Sequence, residues 1–185
     1  MDFAKSIEMH KNTVEALKEK CIPAIENIAA ICQEAIRRGN KILLCGNGGS
    51  AADSQHIAAE FVGRFIKERN GLPSIALTTD TSILTAVGND YGYERVFERQ
   101  VEALANPGDV LIGISTSGNS KNVILAFEKA REKGAKIIAF TGERDSKMSE
   151  MADAALQVPA TMTARIQEMH ILVGHMICEY IDEDY

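Results

Sequence analysis

His56 and Glu60 stand four residues apart in SAADSQHIAAEFVGR, and Arg64 follows at the same spacing. On a helix that interval places all three side chains on one face, so an imidazole, a carboxylate and a guanidinium share a surface. An acid-base pair beside an anion-binding group is the chemistry such a set offers. Just upstream, GNGGS (residues 46–50) follows the apolar run Ile42, Leu43, Leu44, Cys45 and opens the helix that carries them. A strand, a glycine loop and a helix start leave backbone N–H groups free at the positive end of the helix dipole, where a phosphate can approach closely. A second junction repeats the design: VLIGIS leads into STSGNS (residues 115–120), where Ser115, Thr116, Ser117 and Ser120 surround Gly118 ahead of a helix through Arg131. Hydroxyls donate well to phosphate oxygens. Taken alone this loop is equally well a turn with a serine cap; the arrival of GNGGS at the same sheet edge favours a ligand site. Neither loop carries GK[ST] or GxGxxG, so no nucleotide cofactor is expected.

A third polar group interrupts the apolar segment IQEMHILVGHMI: Gln167, Glu168, His170 and His175. On a helix such groups face solvent or find partners. By spacing, Glu168 aligns with His175 slightly better than Gln167 does, and spacing leaves open which of them faces a site. For His56 and Glu60 a partly exposed i,i+4 pair is the commoner outcome.

The elements that must position these groups alternate. Asp2 to about Arg38 reads as two helices punctuated by Pro23. The second, with Ile25, Ile28, Ala29, Ile31, Cys32 and Ile36, has a wide apolar face; the first, with Ile7, Val14 and Leu17, has a stripe narrow enough to suggest contact with another subunit. Strands follow at 42–45, 73–77, 110–115 and 136–141, with a fifth candidate from Leu156 before Pro159. Ser82–Val87 reads as helix, GNDYGYERVF as a loop leading to a helix near 94–105, and 161–180 as one long helix. Nearly continuous apolar strands alternating with helices imply an α/β three-layer sandwich around a central, mainly parallel five-stranded sheet. One domain spans 1–185: N-terminal helices over 1–39, then an α/β core over 40–185 that ends in the long helix. Right-handed crossovers bring the two loops to the carboxyl edge of the sheet.

The bulk properties narrow the class. With 185 residues and a net charge of −6, and no basic run beyond Arg37-Arg38, the chain is not expected to bind nucleic acid. Cys21, Cys32, Cys45 and Cys178 are widely spaced in apolar surroundings, as reduced thiols are. No secretory leader or membrane-length apolar run is evident, so a soluble cytoplasmic protein without membrane contact is expected.

GNGGSAADSQHIAAEFVGR, VGNDYGYERVF, GDVLIGISTSGNSKNV, AREKGAKIIAFTG and RIQEMHILVGH together resemble the sugar isomerase (SIS) domains, a flavodoxin-like fold, and within them the phosphoheptose isomerases. The resemblance spans nearly the whole chain. The serine loop alone marks only the broad family, whereas the HxxxE helix and the RIQExH segment with a second histidine are specific. It implies an aldose-ketose isomerase that converts sedoheptulose 7-phosphate to D-glycero-D-manno-heptose 7-phosphate, a heptose precursor of bacterial surface polysaccharide such as lipopolysaccharide. It implies Glu60 and His175 as the catalytic pair. Asn47, Gly48, Gly49, Ser50, Glu60, Arg64, Asn89, Asp90, Ser115, Thr116, Ser117, Ser120 and Gln167 fall on substrate-binding positions. His56, Glu60, Gln167 and His175 match a zinc site, one ion per subunit, and homotetramers with sites between subunits are implied. Two histidines, a carboxylate and an amide also make a metal-free cluster, and glutamine is an uncommon zinc ligand. Some relatives carry an aspartate three residues before the glutamine, where this chain has Ala164, so no role of that carboxylate carries over. The competing reading is a non-catalytic SIS-domain protein, a sugar-phosphate sensor or a replication-initiation regulator that binds a protein partner; such a module has no need of an acid and a base at Glu60 and His175.

Overall fold

The computed structural model describes residues 2–185. Five strands, β1 (Ile42–Gly46), β2 (Ser74–Ala76), β3 (Val110–Ile114), β4 (Lys136–Gly142) and β5 (Ala154–Val158), form one sheet in the order β2-β1-β3-β4-β5. Every pairing is parallel, which sharpens the expected mainly parallel sheet. Strand alternation divides the core. Ile42, Leu44, Ile112 and Ile138 face a layer built from α1 (Phe3–Lys20), α2 (Ile22–Arg37), α3 (Gly49–Val62) and α8 (Thr163–Asp182). Leu43, Cys45, Leu111 and Ile137 face the opposite layer of α4 (Thr81–Tyr91), α5 (Val96–Leu104), α6 (Lys121–Glu132) and α7 (Lys147–Met151). A strand buried on both faces must be apolar at every position, and β1 and β3 are wholly buried. All four cysteines are free and buried, and burial pushes their thiols up, Cys32 and Cys178 to about 12.

One expected loop is corrected. Gly88, Asn89 and Asp90 are helical: Asp80 caps α4 through Ile83 N–H at 2.9 Å, and an isolated glycine does not end a helix. The break falls at Gly92, whose φ of 92° suits glycine, and a 3₁₀ turn over Tyr93–Arg95 precedes α5. With this strand order the chain reverses direction across the sheet between β1 and β3, the crevice where ligands bind in open α/β sheets. Gly46 of β1 lies in register with Ile114 of β3, so GNGGS and STSGNS leave the sheet side by side.

Candidate active site

α3 and α8 run in the same direction and meet along their lengths. At the amino end the Gln167 amide lies flat on Gly49: a Cβ built there would be 2.6 Å from Gln167 Cδ. At the middle the helices approach at Gly174, where a Cβ would be 2.5 Å from Ile57 Cδ1. Beside that contact His175 Nε2 lies 3.1 Å from His56 Nε2, and His56 Nε2 lies 3.1 Å from Glu60 Oε1. Phe65, just beyond α3, stacks on the His175 ring with centroids 5.4 Å apart. The i,i+4 pair on α3 is therefore joined by a histidine 119 residues away. The choice between Gln167 and Glu168 falls to Gln167. Glu168 turns to α1, where it accepts from His10 Nδ1 at 2.7 Å, and it also accepts from Arg165 one turn back on α8. The helix sits between α3 and α1, and successive positions point to different neighbours.

Asp53 was not among the sequence candidates. It is 8% exposed, one turn before His56 and Ile57 on the same face of α3, and its Oδ2 has no hydrogen-bond partner. Burial raises its carboxyl, opposed by the neighbouring Gln167 amide and by His56 and His175. An aspartate at that position of a helix reads as solvated; only the second helix, laid over it, buries it.

Ser120 is the N-cap of α6 yet makes no side-chain cap bond. Its Oγ lies 2.9 Å from Ser115 Oγ, which lies 3.3 Å from Ser117 Oγ. Three hydroxyls thus gather at a helix start instead of closing it. Gly118, at φ 66°, permits the turn, and a side chain there would collide with Ser146. Across the crevice Gly48, at φ 57°, opens α3, also without a side-chain cap. Ser50 is buried in the first turn of α3. The Asn47 side chain is already engaged: it exchanges amide bonds with Asn122 at 2.9 and 2.8 Å and accepts from Tyr93 Oη at 3.2 Å. It braces the two loops, which leaves its backbone rather than its side chain for a ligand.

Other candidates stand apart within this chain. Arg64 is exposed and pairs with Glu68 at 3.3 Å; Asn89 donates to Asp90 at 2.8 Å, and both are exposed. His170 points into the core instead: its Nε2 lies 3.1 Å from the Thr141 carbonyl.

His56, Glu60 and His175 each bring one donor atom within 4.8 Å of the others. Two imidazole nitrogens and a carboxylate oxygen are a donor set that zinc accepts, and nitrogens bound to one ion at about 2.0–2.1 Å lie close to this separation. The residues fit the metal. Gln167, held against Gly49 at the head of the same helix face, is the remaining candidate ligand.

Residues 6–142 match the SIS domain family. A phosphoheptose isomerase of Aliarcobacter butzleri is 58% identical, covering 97% of this chain and 95% of the relative. One from Aquifex aeolicus is 56% identical over 98% of this chain and 93% of its own length. The solved phosphoheptose isomerase of Neisseria gonorrhoeae superposes with a TM-score of 0.93 at 45% identity, covering 98% of this chain and 97% of that one.

Proposed function

The chain belongs to the SIS-domain family, among the phosphoheptose isomerases, and from that membership we propose that it converts sedoheptulose 7-phosphate to D-glycero-D-manno-heptose 7-phosphate through Glu60 and His175. It is an aldose-ketose isomerase. The observation that supports this assignment of roles is the meeting of His175 with His56 and Glu60 across two helices.

Ketose-to-aldose conversion moves one proton from C1 to C2 and another from O1 to O2. Glu60 takes the C1 proton and returns it to C2, while His175 gives a proton to O2 and receives one from O1. Both groups end as they began. Ser115, Ser117 and Ser120, with Thr116 and the backbone of Asn47, Gly48, Gly49 and Ser50, hold the phosphate at two helix starts. That fixes C1 and C2 relative to the acid-base pair and converts binding into orientation. A zinc ion held by His56, Glu60, Gln167 and His175 would supply positive charge at the substrate oxygens.

Arg64, Asn89 and Asp90, exposed in one chain, are assigned to substrate binding within a homotetramer whose sites lie between subunits. The setting is the cytoplasm, and the product feeds heptose for surface polysaccharide such as lipopolysaccharide. The test is aldose formation from sedoheptulose 7-phosphate by the purified protein. Glu60→Gln keeps the shape and removes the base, so turnover should vanish while phosphate-dependent binding persists. His175→Ala should lose turnover too, and the double variant should be little worse than the poorer single one, because the two act as a unit. Near wild-type conversion by Glu60→Gln would return weight to the sensor reading.

A further inference from the structure

The two site helices meet a third time, at their carboxyl ends, through a buried ion pair. Arg69 Nε donates to Asp182 Oδ1 at 2.6 Å, and both side chains are 2% exposed. The Arg69 guanidinium also donates to the Glu60 carbonyl at 3.0 Å and the Phe61 carbonyl at 2.9 Å. These carbonyls belong to the last turn of α3 and lack partners within the helix. Asp182 Oδ2 accepts from Ile66 N–H at 2.8 Å and Lys67 N–H at 3.1 Å. One knot therefore ties the end of α3, the end of α8 and the segment between them that carries Phe65. Burial would raise the Asp182 carboxyl, but Arg69 and the two N–H groups hold it below the usual carboxylate range.

Each strand of this knot leads to a reacting group. Arg69 grips the backbone of Glu60 itself. Asp182 lies seven residues after His175, about two turns along and on nearly the same face of α8. Pinning Ile66 and Lys67 seats Phe65 on the His175 ring, which also lies 5.0 Å from the His56 ring between centroids. A buried ion pair seldom adds net stability over apolar residues of similar volume, but its directional bonds fix one geometry. Sliding one parallel helix along the other by a single residue would move the donors about 1.5 Å apart. The geometry points to Arg69 and Asp182 as positioning residues of the isomerase, which set the register of α3 against α8 and the seat of His175. This rests on the reading that Glu60 and His175 perform the proton transfers.

The test compares Asp182→Asn and the charge-free double variant Arg69→Met, Asp182→Leu with wild type, in the full chain. Arg37→Ala is the control: its exposed partner Asp184 lies at the same end of α8 but ties that end to α2. Two readouts are taken: kcat and KM for ketose-to-aldose conversion, and carbon–proton spectra of the histidine rings, of which there are four. In the folded double variant kcat should fall at least about tenfold with KM within about threefold, because small misplacements of reacting groups are costly while the phosphate grip lies elsewhere. The His175 ring signal should shift, with His10 unmoved, and Arg37→Ala should match wild type in both. Wild-type kcat in the folded double variant, or an unmoved His175 ring, would overturn the proposal. Should Glu60→Gln retain turnover, the assignment of the chemistry fails, and the ring spectra still decide whether the pair positions His175.

Discussion

Ser117 and Ser120 end in hydroxyls that neither cap α6 nor point into the core, so their removal should be felt by the ligand first. Hydrogen bonds to a charged group contribute roughly 1.5–3 kcal/mol each. Ser117→Ala and Ser120→Ala should each raise KM by about tenfold to a hundredfold with a much smaller change in kcat. Unchanged sugar-phosphate binding in both would reduce the loop to a helix start. Gly49 tests the other end of the site. Alanine suits a helix better than glycine by about 1 kcal/mol, so Gly49→Ala should not unfold α3. Its methyl would displace the Gln167 amide. Zinc content after purification without chelator and turnover should both fall in that variant, whereas chelation of wild type followed by Zn²⁺ should abolish and restore activity. Wild-type zinc and turnover in Gly49→Ala would remove Gln167 from the site.

At the scale of elements, α8 serves two layers at once. One side carries Gln167 and His175 toward α3, and another buries His170 against β4, where it contacts the Thr141 carbonyl and Phe140. Burial holds the His170 imidazole down to about 4, only partly opposed by that carbonyl. The unfolded chain therefore takes up a proton below its ordinary value of about 6.5 while the folded chain does not. The resulting stability is complete above pH 6.5 and is lost as pH falls toward 4, by about 3 kcal/mol at the low end. Denaturant titrations of wild type should show this slope, and His170→Asn should flatten it between pH 6.5 and 5. Asp109 and Asp182, both lowered by their hydrogen bonds against the opposing effect of burial, lose their contributions at lower pH than this window. An identical slope in His170→Asn would show that another group carries the acid sensitivity.

At the scale of the molecule, α1 is the element least explained by one chain. It buries only Thr13 and Leu17, and leaves Phe3 71% and Ile7 69% exposed. Apolar side chains side by side on a helix surface suit an interface between copies better than water does. Ile7→Glu, alone or with Phe3→Glu, should shift sedimentation from the proposed tetramer toward smaller species without lowering helix content. If sites are shared between subunits, turnover should fall with assembly. A tetramer that persists in the double variant would place the interface elsewhere.

The strands and helices were legible because apolar runs and turn residues act locally. Ile42–Cys45 and Val110–Ile114 are apolar throughout because both faces of the sheet are covered, and that needs no knowledge of what covers them. The pairing of His56 with Glu60 followed from helical spacing alone, and recognition of the family motifs supplied His175. GNDYGYERVF misled because Gly88 looks like Gly92 in sequence, and only their backbone angles tell them apart. What no local rule reaches is the rotation and axial shift of α8 on α3. Spacing aligned Glu168 slightly better and left the choice open; the packing of Gly174 on Ile57 and the Arg69–Asp182 pair turn Gln167 toward α3 and Glu168 to α1. Asp53 went unseen for the same reason: its burial belongs to the pair of helices. Residue types and their spacing determined which chemistry was available here, and the tertiary structure decided which side chains meet, because burial and register arise only when separate segments pack.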